Sequence, residues 1–366
     1  MNNDLIFQIA LTRIPHIGHV HAKILTSIFG TAEAIFKTPK SKLEKVDGIG
    51  QIRATSIKSF SDFNSCEKEI HFTEKHQIKT IFINDTEYPK RLLNCYDSPI
   101  LLYFKGNTSL NNSRFVSIVG TRANTDYGKT ICEQFIEELK TYNITVISGL
   151  AYGIDTISHK SAIKHNLPTI GILAHGLDRI YPYANKSLAK QMIENGGLLT
   201  EYPSGTNPDK QNFPERNRIT AGICDALVVI ETGKSGGSLI TAEIANSYHK
   251  DVFAFPGRIH DMKSDGCNQL IKNNKACLIS SSEDLVKLMG WDEKETTKIP
   301  KQQTLFNHLN NEELLLMKLL ETAVDIDVDT LIFKSGLSHS SIAVNLLTLE
   351  MNGLIKSLPG KRYKSI

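Results

Sequence analysis

Phe115-Val116-Ser117-Ile118-Val119 is the first of four apolar, strand-like runs that decide the fold of this chain. The other three occupy residues 145–148, 169–173 and 226–230, and helical patterns follow the first, second and fourth runs. Strands that alternate with helices are typical of a parallel sheet with crossover helices. The runs therefore predict an α/β fold with a parallel-sheet core.

Each run ends in a turn that is rich in glycine or in cations. Gly120-Thr121-Arg122 follows the first run, Gly149-Leu150-Ala151-Tyr152-Gly153 the second, Ala174-His175-Gly176 the third, and residues 231–238 the fourth. The turns that follow parallel strands gather along one edge of the sheet. Glycines there let backbone amides approach a ligand, and helix N-termini favour negative charge. With Arg122 and Lys234 as added cations, this edge is predicted to bind an anion.

Length and composition limit the classes of protein that fit. A chain of 366 residues is long for one compact domain, so two or three domains are expected, and its hydrophobic content is enough for a sizeable core. The formal net charge of +3 is too small for a uniformly basic coat, so any surface for a polyanion must be local. We find no apolar run of ~18 residues and no signal-peptide pattern, and we expect a cytoplasmic protein with no membrane partner.

The cysteines give no sign of a metal site or of a disulfide framework. The six cysteines show no C-x-x-C pair and no nearby histidine at zinc-finger spacing. Reduced, mostly buried thiols are the expected state.

Residues 14–22 and 46–54 form an internal repeat. Each copy has an apolar residue, two spacers, Ile-Gly, three spacers and Ala, followed by an amphipathic helix. The repeat predicts two copies of a unit of two helices joined by a tight glycine turn, within a helical domain over residues 1–75. The pattern resembles the helix-hairpin-helix motif, in which turn amides approach a DNA phosphate. Small helical bundles use the same turn only for packing, and Arg53 is the one cation at the second turn, so both uses stay open.

Residues 76–290 are predicted to form one extended core. The runs at 80–83 and 100–104 look extended and are expected to add edge strands to the sheet. A polar stretch at 291–310 is rich in Lys, Thr and Gln, which is typical of a linker.

Residues 311–366 are predicted to form a winged helix. Helical patterns at 312–322, 328–334 and 340–351 precede two short runs that flank Pro359-Gly360. Three helices followed by a two-stranded ribbon match a winged helix-turn-helix. Such a unit binds DNA in some proteins and docks another protein in others, and the sequence leaves both uses open.

Two nucleotide-binding motifs can be excluded at the predicted edge. A dinucleotide site needs G-x-G-x-x-G after the first strand, but Arg122 stands where a glycine would approach the pyrophosphate. Gly233-Lys234-Ser235 has the ending of a P-loop, but Val228 stands where the leading glycine is required. NAD, FAD and P-loop ATP binding are therefore not expected, and we predict no cofactor and no metal.

Two further patterns keep an enzymatic alternative open. Residues 233–237 fit G-x-S-x-G between a strand and a helix, and Asp251 and His260 follow, but no His-Gly-Gly-Gly oxyanion segment exists. Residues 236–243 are similar to the signature of nucleotide phosphoribohydrolases, with altered spacing, and would make Glu243 a catalytic carboxylate. A nucleoside-phosphate enzyme at the same edge is thus the alternative function, and an adaptor with docking terminal domains is a third.

The segment Lys210-Gln211-Asn212-Phe213-Pro214-Glu215-Arg216-Asn217-Arg218 favours a polymer over a mononucleotide as ligand. It places three cations and an amide within nine residues, with one aromatic side chain among them. Cations pair with successive phosphates, and an exposed phenylalanine offers a stacking face worth ~1 to 3 kcal/mol per base. Alternatively, Phe213 fills the core and the arginines form internal ion pairs with Glu201 or Asp225.

A set of motifs in the central part of the chain occurs in a characteristic order. They are Val119-Gly120-Thr121-Arg122, residues 148–155 with His159, Tyr181-Pro182 with Asn185, residues 213–218, residues 234–242 and Phe253-Ala254-Phe255-Pro256-Gly257. Together these motifs resemble those of the DNA-processing protein A family, DprA, also called Smf. The resemblance implies a Rossmann-like core between a helix-hairpin-helix region and a winged helix. One departure is Thr121, where serine is usual, and this change keeps the hydroxyl.

The resemblance further implies a non-enzymatic, single-stranded DNA-binding protein of natural transformation and recombination. Such proteins form homodimers through the core, protect incoming single strands and load the recombinase RecA onto them. The cations would bind phosphates, Phe213 would stack on a base, and Arg218 either joins them or braces the loop. The implied DNA-binding residues are Arg122, Ser148, Gly149, Lys210, Phe213, Arg216, Asn217, Arg218, Lys234, Gly236 and Ser238.

Overall fold

The computed structural model describes residues 4–292, 309–321, 325–352, 354–358 and 361–365. These residues fall into two compact units, one within residues 1–292 and the other within 293–366. The predicted linker at 291–310 lies mostly outside the described residues, and so does the predicted Pro359-Gly360 turn. Within the described ranges, no helix combines the length and the apolar character that crossing a membrane requires.

The larger unit is built on a mixed sheet, with nine strands among the described residues. The strands are β1 (Lys79–Phe82), β2 (Leu101–Gly106), β3 (Arg114–Val119), β4 (Ile144–Ser148), β5 (Thr169–Ile172), β6 (Gly196–Thr200), β7 (Ala226–Val229), β8 (Asp251–Ala254) and β9 (Cys277–Leu278). Their order is β1-β2-β6-β5-β4-β3-β7-β8-β9. The strands from β6 to β9 in this order run parallel, whereas β1 and β2 are antiparallel to their neighbours.

Helices cover both faces of this sheet. The helices that precede β1 form a helical layer. The N-terminal helices are α1 (Asp4–Leu11), α2 (His19–Phe29), α3 (Ala32–Lys37), α4 (Lys40–Leu43), α5 (Gly50–Ser59) and α6 (Phe63–Lys75). The helices between and after the strands are α7 (Lys90–Leu93), α8 (Asp126–Leu139), α9 (Ile154–Lys164), α10 (Lys186–Glu194), α11 (Asn212–Gly222), α12 (Gly237–Ser247), α13 (Asp265–Lys272) and α14 (Ser282–Leu288). Short 3-10 turns cover Lys140–Tyr142 and Tyr183–Asn185.

All four predicted runs are strands, namely β3, β4, β5 and β7, and they are parallel neighbours. The two extended runs predicted ahead of them are β1 and β2, and β1 forms one edge of the sheet. The apolar runs did not predict β6, β8 and β9. The α/β fold class with a Rossmann-like core is confirmed.

Side chains of the parallel strands alternate between two apolar layers. Phe115 and Val119 of β3 lie in the layer that contains α11 and α12. Val116 and Ile118 lie in the layer that contains α8 and α9. Because both faces of β3 are covered, nearly every residue in it is buried, which explains why the strand reads as a continuous apolar run.

The chain winds outward from β3 in both directions. The strands β4, β5 and β6 lie on one side of β3, and β7, β8 and β9 lie on the other. In open α/β sheets, a crevice forms outside the carboxyl ends of the strands where the winding direction changes. This point lies between β3 and β7, and the turns that follow these two strands contain Arg122 and Gly236.

The N-terminal helices contain the predicted repeat. Gly48 and Gly50 in the second turn have φ angles of +78° and +60°, which glycine adopts without steric cost. Arg53 donates hydrogen bonds to the carbonyls of His16 (3.1 Å) and Gly48 (3.0 Å), so its side chain ties the two turns together. The apolar core of these helices is continuous with that of the sheet. The domain boundary at residue 75 stays a prediction.

The smaller unit is a winged helix. Its elements are α15 (Asn311–Glu321), β10 (Ile326–Asp327), α16 (Val328–Ser335), α17 (His339–Met351), β11 (Ile355–Leu358) and β12 (Arg362–Ser365). The predicted helices and ribbon are confirmed, and β10 adds a third strand beside β12. The helix α17 has no Lys or Arg and exposes Val344, Leu347 and Met351. The helix α17 therefore offers no Lys or Arg for a phosphate contact, and both predicted uses of the winged helix stay open.

His159 links α9 to the sheet and stays neutral in the folded protein. Its Nδ1 lies 2.7 Å from Thr169 Oγ1, which donates to the Val146 carbonyl, and its Nε2 is buried without a hydrogen-bond partner. Burial lowers the pKa of His159 to about 3, well below the ordinary value near 6.5. Between these values the unfolded chain binds a proton that the folded chain does not.

We therefore expect acid to destabilise the core through His159. Its contribution is fully present above pH 6.5 and is lost as the pH falls below that value, by about 1.4 kcal/mol at pH 5.5. His159→Leu should remove this part of the pH dependence between pH 7.5 and 5.5. Urea unfolding followed by the fluorescence of Trp291, the single tryptophan of the chain, measures it. His71→Leu is the control because the His71 side chain is 80% exposed. An unchanged pH slope in His159→Leu would contradict the assignment.

Candidate nucleic-acid interface

An open groove of about 730 Å³ runs along the carboxyl edge of the sheet, where the winding direction changes. Its walls come from the turns after β3 and β4, the loop before α11, and the first turns of α11 and α12. Three of its four charged side chains are positive, so the groove favours an anion. The charged and aromatic residues that line it are Arg122, Asp155, Tyr181, Lys210, Phe213 and Arg216.

One face of α11 lines the groove. Phe213, Arg216, Asn217 and Thr220 lie there at positions i, i+3, i+4 and i+7, which share one face of a helix. Arg218 follows Arg216 by two residues and therefore points roughly 200° away around the helix. It donates to the Asp97 carbonyl at 2.7 Å and forms an ion pair with Glu201. Arg218 braces the core and does not line the groove.

Arg216 is a buried cation that holds two strand ends together. Its side chain is 4% exposed, and its Nη1 donates to the carbonyl of Gly149 at 2.6 Å and to that of Ile172. Its Nε is buried without a partner, and no carboxylate among the described residues lies within ion-pair distance. A buried charge is costly unless it is paired. An anion in the groove would add to the charge compensation that Asp155 provides from beyond ion-pair distance.

Asp155 is the one acidic side chain of the groove, at the start of α9. It accepts a hydrogen bond from the Ala151 amide at 3.2 Å. Burial raises the pKa of its carboxyl, and the charge of Arg216 opposes this shift. Burial likewise lowers the pKa of Arg216, and Asp155 opposes that shift. Each side chain therefore favours the ionised form of the other.

Phe213 lies between a cation and a second aromatic ring. The guanidinium carbon of Arg122 is 5.1 Å from the centre of the Phe213 ring, a cation–π distance. The ring of Tyr181 is 6.0 Å from that of Phe213, at an interplanar angle of 56°. Phe213 is half-buried, and Tyr181 is 45% exposed. The groove thus combines a cation that can pair with a phosphate and aromatic faces that can stack on bases.

Lys210 and the start of α12 add further groups that bind anions. Lys210 is exposed and makes no hydrogen bond or ion pair within the described chain. The helix α12 begins after Gly236, and no side chain caps its first amides. Free amides at a helix N-terminus favour negative charge. Ser238 is mostly buried in this turn, and its Oγ donates to Thr232 Oγ1 at 2.7 Å.

Two other residues of the predicted set lie away from the groove lining. Ser148 is the last residue of β4, is fully buried, and donates to the Ile118 carbonyl at 2.6 Å. Lys234 is 68% exposed, and its Nζ lies 3.6 Å from Asp265. DNA contact stays a prediction for every residue of the set. The predicted residues that the structure brings together in the groove are Arg122, Gly149, Lys210, Phe213, Arg216, Asn217, Gly236 and Ser238.

The residues of the enzymatic alternatives do not assemble at the groove. Glu243 is exposed, does not line the groove, and pairs with Lys275 at 2.6 Å. Ser235 follows the carboxyl end of β7. Asp251 begins the parallel strand β8 and therefore lies at the amino ends of the strands, on the side of the sheet opposite to Ser235. Among the described residues, no group of three or more His, Cys, Asp or Glu side chains could hold a metal, and all six cysteines are free.

Sequence reasoning missed Tyr181 and Asp155 as groove residues. Both occur in motifs that carried the family resemblance, but neither was given a role. The helical spacing of Phe213, Arg216 and Asn217 was the signal that separates the groove face from Arg218. In the sequence, residues 210–218 look like one continuous cationic segment, whereas on a helix their spacing directs Arg218 away from the other side chains.

Comparison with protein families covers nearly the whole chain. Residues 79–290 match the model of DNA recombination-mediator protein A, residues 7–70 match a helix-hairpin-helix motif, and residues 301–361 match the DprA winged helix domain. These three matches follow the same order as the helical layer, the sheet and the winged helix.

Similar proteins agree with these matches. The chain is 30% identical to Protein Smf of Synechocystis, over 99% of both chains. It is 40% identical to DNA processing protein DprA of Streptococcus pneumoniae, over 60% of this chain and 77% of that protein. The X-ray structure of the S. pneumoniae protein covers 77% of this chain and 97% of its own, with a TM-score of 0.67 and 33% identity. DNA processing protein A of Helicobacter pylori, described by its single-stranded DNA binding mode, covers 59% of this chain and 97% of its own, with a TM-score of 0.54 and 30% identity.

Gly149→Ala should disturb the Arg216 contact, because a Cβ at position 149 would overlap the Arg216 guanidinium. We expect a loss of about 1 to 3 kcal/mol in the free energy of unfolding, the usual cost of overpacking. Urea unfolding followed by Trp291 fluorescence measures it. Gly237→Ala is the control, since a Cβ there meets open space. Equal stabilities of the two variants would contradict the packing of Gly149 against Arg216.

Proposed function

Because this chain belongs to the DNA recombination-mediator protein A family, we propose that it binds single-stranded DNA in the groove at the carboxyl edge of its sheet. The observation that carries the proposal is Arg216, a buried cation of the groove lining with an unpaired Nε and no carboxylate of the described residues within ion-pair distance. A phosphate oxygen would accept a hydrogen bond from this Nε and offset the buried charge. Arg122 and Lys210 then extend the positive charge along the groove to neighbouring phosphates.

The aromatic side chains support a single strand over a duplex. The rings of Phe213 and Tyr181 lie in the same groove as the cations. A strand bound through its phosphates would therefore bring bases against these rings. Bases of a duplex are already stacked and paired, whereas those of a single strand are free to stack on aromatic side chains. The similar protein from H. pylori is described by its single-stranded DNA binding mode, which agrees with this proposal.

We further propose the cellular role that the family resemblance implies. In this role the protein protects incoming single strands during natural transformation and loads RecA onto them, acting as a homodimer in the cytoplasm. The similar proteins named for DNA processing support the general setting.

Binding in this proposal needs no chemical step, metal or nucleotide cofactor. The support is the position of Glu243, which pairs with Lys275 outside the groove instead of facing a bound nucleotide. The domain layout that we propose keeps the helical segment at 1–75, the core at 76–290 and the winged helix at 311–366.

Lys210→Ala should weaken binding to all single-stranded sequences alike. Loss of one phosphate contact should lower the slope of log affinity against log salt by about 0.7 to 1. Fluorescence anisotropy with labelled single-stranded and duplex oligonucleotides across a salt series measures both the slope and the preference for the single strand. Lys164→Ala is the matched control, because Lys164 ends α9, which starts at the groove and runs ~15 Å away from it.

Two outcomes would overturn the proposed function. One is equal affinity of the wild type for single-stranded and duplex DNA. The other is a Lys210→Ala variant with the affinity and salt slope of Lys164→Ala.

Phe213→Leu should weaken binding by removing a stacking face worth about 1 to 3 kcal/mol per base. An oligonucleotide with abasic sites isolates this contribution, because it keeps the phosphates and lacks the bases. The wild type should lose affinity on the abasic strand, and Phe213→Leu, which keeps the Tyr181 ring, should lose less than the wild type when the bases are removed. If the variant responds to base removal as strongly as the wild type does, Phe213 does not stack on a base.

A further inference from the structure

Lys210 reaches the groove on a loop that an N-terminal helix holds in place. The loop, residues 201–211, joins β6 to α11 and contributes Pro208 and Lys210 to the groove lining. Near its start, the Ser204 amide donates to Glu69 Oε1 at 2.9 Å, and Ser204 Oγ donates to Glu69 Oε2 at 2.6 Å. Glu69 belongs to α6, so the contact joins the helical layer to the groove loop.

The Glu69 carboxylate is built into its position. It is 4% exposed, and Arg13 Nη2 lies 3.5 Å from its Oε2. Arg13 is fixed in turn by a hydrogen bond from its Nη1 to Ser65 Oγ at 2.7 Å. Hydrogen bonds to an ionised group are about twice as strong as those between neutral groups. Both carboxylate oxygens are therefore used to fix Ser204.

The rest of the loop is held by the turn that follows β5. The Gly205 amide donates to Asp178 Oδ1 at 3.0 Å, and Arg179 donates to the side chain of Asn207. These contacts come from the core, whereas the Glu69 contact comes from the helical layer. Lys210 itself makes no hydrogen bond or ion pair in the described chain, so the position of its ammonium group depends on the backbone of the loop.

Three cations of the N-terminal helices are engaged in similar structural contacts. Arg13 pairs with Glu69, and Arg53 ties the two turns of the repeat. Lys23 donates to the carbonyls of Leu93 and Cys95 at 2.8 Å each. These side chains bind the protein's own backbone and carboxylates, which supports a bracing role for the helical layer.

We propose that Glu69 is a positioning residue for DNA binding, which acts through Ser204 to set where Lys210 meets the phosphate backbone. The proposal rests on the proposed function and deepens it. It gives the helical layer a part in affinity although Glu69 itself does not touch the strand.

The test is a double-mutant cycle in the full chain, with single-stranded DNA binding measured by anisotropy across a salt series. Glu69→Ala should weaken binding at least threefold and lower the salt slope by about 0.7, as loss of one phosphate contact does. In the Lys210→Ala background, Glu69→Ala should add less than a twofold loss, because its target is already gone. Glu69→Gln keeps an acceptor oxygen and should restore most of the affinity. Glu67→Ala is the control, since Glu67 is exposed on the same helix.

The outcomes separate this proposal from the proposed function. An unchanged affinity in Glu69→Ala, or the same loss with and without Lys210, overturns the positioning role and leaves the proposed function intact provided that Lys210→Ala still weakens binding. A Lys210→Ala variant that binds like the wild type overturns both. If Glu69→Ala does not fold, Ser204→Ala replaces it in the same cycle. It removes the Oγ hydrogen bond and keeps the amide one, so the expected loss is about 1.7-fold, half of the threefold effect in free energy. An unchanged affinity, or the same loss with and without Lys210, again overturns the positioning role.

Discussion

The hydrogen bonds of the buried Arg216 guanidinium to the carbonyls of Gly149 and Ile172 are the interaction on which the candidate site depends. They join α11 to the ends of β4 and β5, two neighbouring strands of the sheet. Gly149 must lack a side chain because the guanidinium occupies that space. The contact therefore fixes the helix that carries Phe213 and Asn217 relative to the turns that carry the backbone amides. A single buried cation thus organises the groove and also leaves it short of negative charge.

The fold places this cation where a ligand can use it. Winding outward from β3 opens a crevice between β3 and β7, and the turns after these strands provide Arg122 and the uncapped start of α12. The antiparallel strands β1 and β2 extend the sheet beyond β6, and the N-terminal helices pack on the same apolar layer as α11 and α12. The helical layer and the elements that form the groove therefore share one apolar core, so a substitution that changes the packing of one can change the packing of the other.

The strands of the core could be predicted because both of their faces are buried and each strand reads as an apolar run. The strand β6 begins Gly196-Gly197, and β9 has two exposed residues, so neither has the apolar pattern that marks a buried strand. The site could be predicted only in part, because the sequence alone does not show in which direction a side chain points from its helix or strand. Ser148 ends a strand and points into the sheet, and Arg218 lies on the far side of a helix. Burial of Arg216 could not be read from the sequence, since it follows from tertiary packing.

The helical face from Phe213 to Thr220 has a consequence for the length of strand that one chain can hold. Seven residues of a rigid helix advance about 10 Å. Successive nucleotides of a stacked strand are ~3.4 Å apart, so this face is as long as about three of them. A flexible loop could follow a strand of any shape, but a helix has a fixed length and pitch. A single strand bound along this face in the proposed way would therefore contact each chain over about three nucleotides, and a long strand would need many chains to cover it.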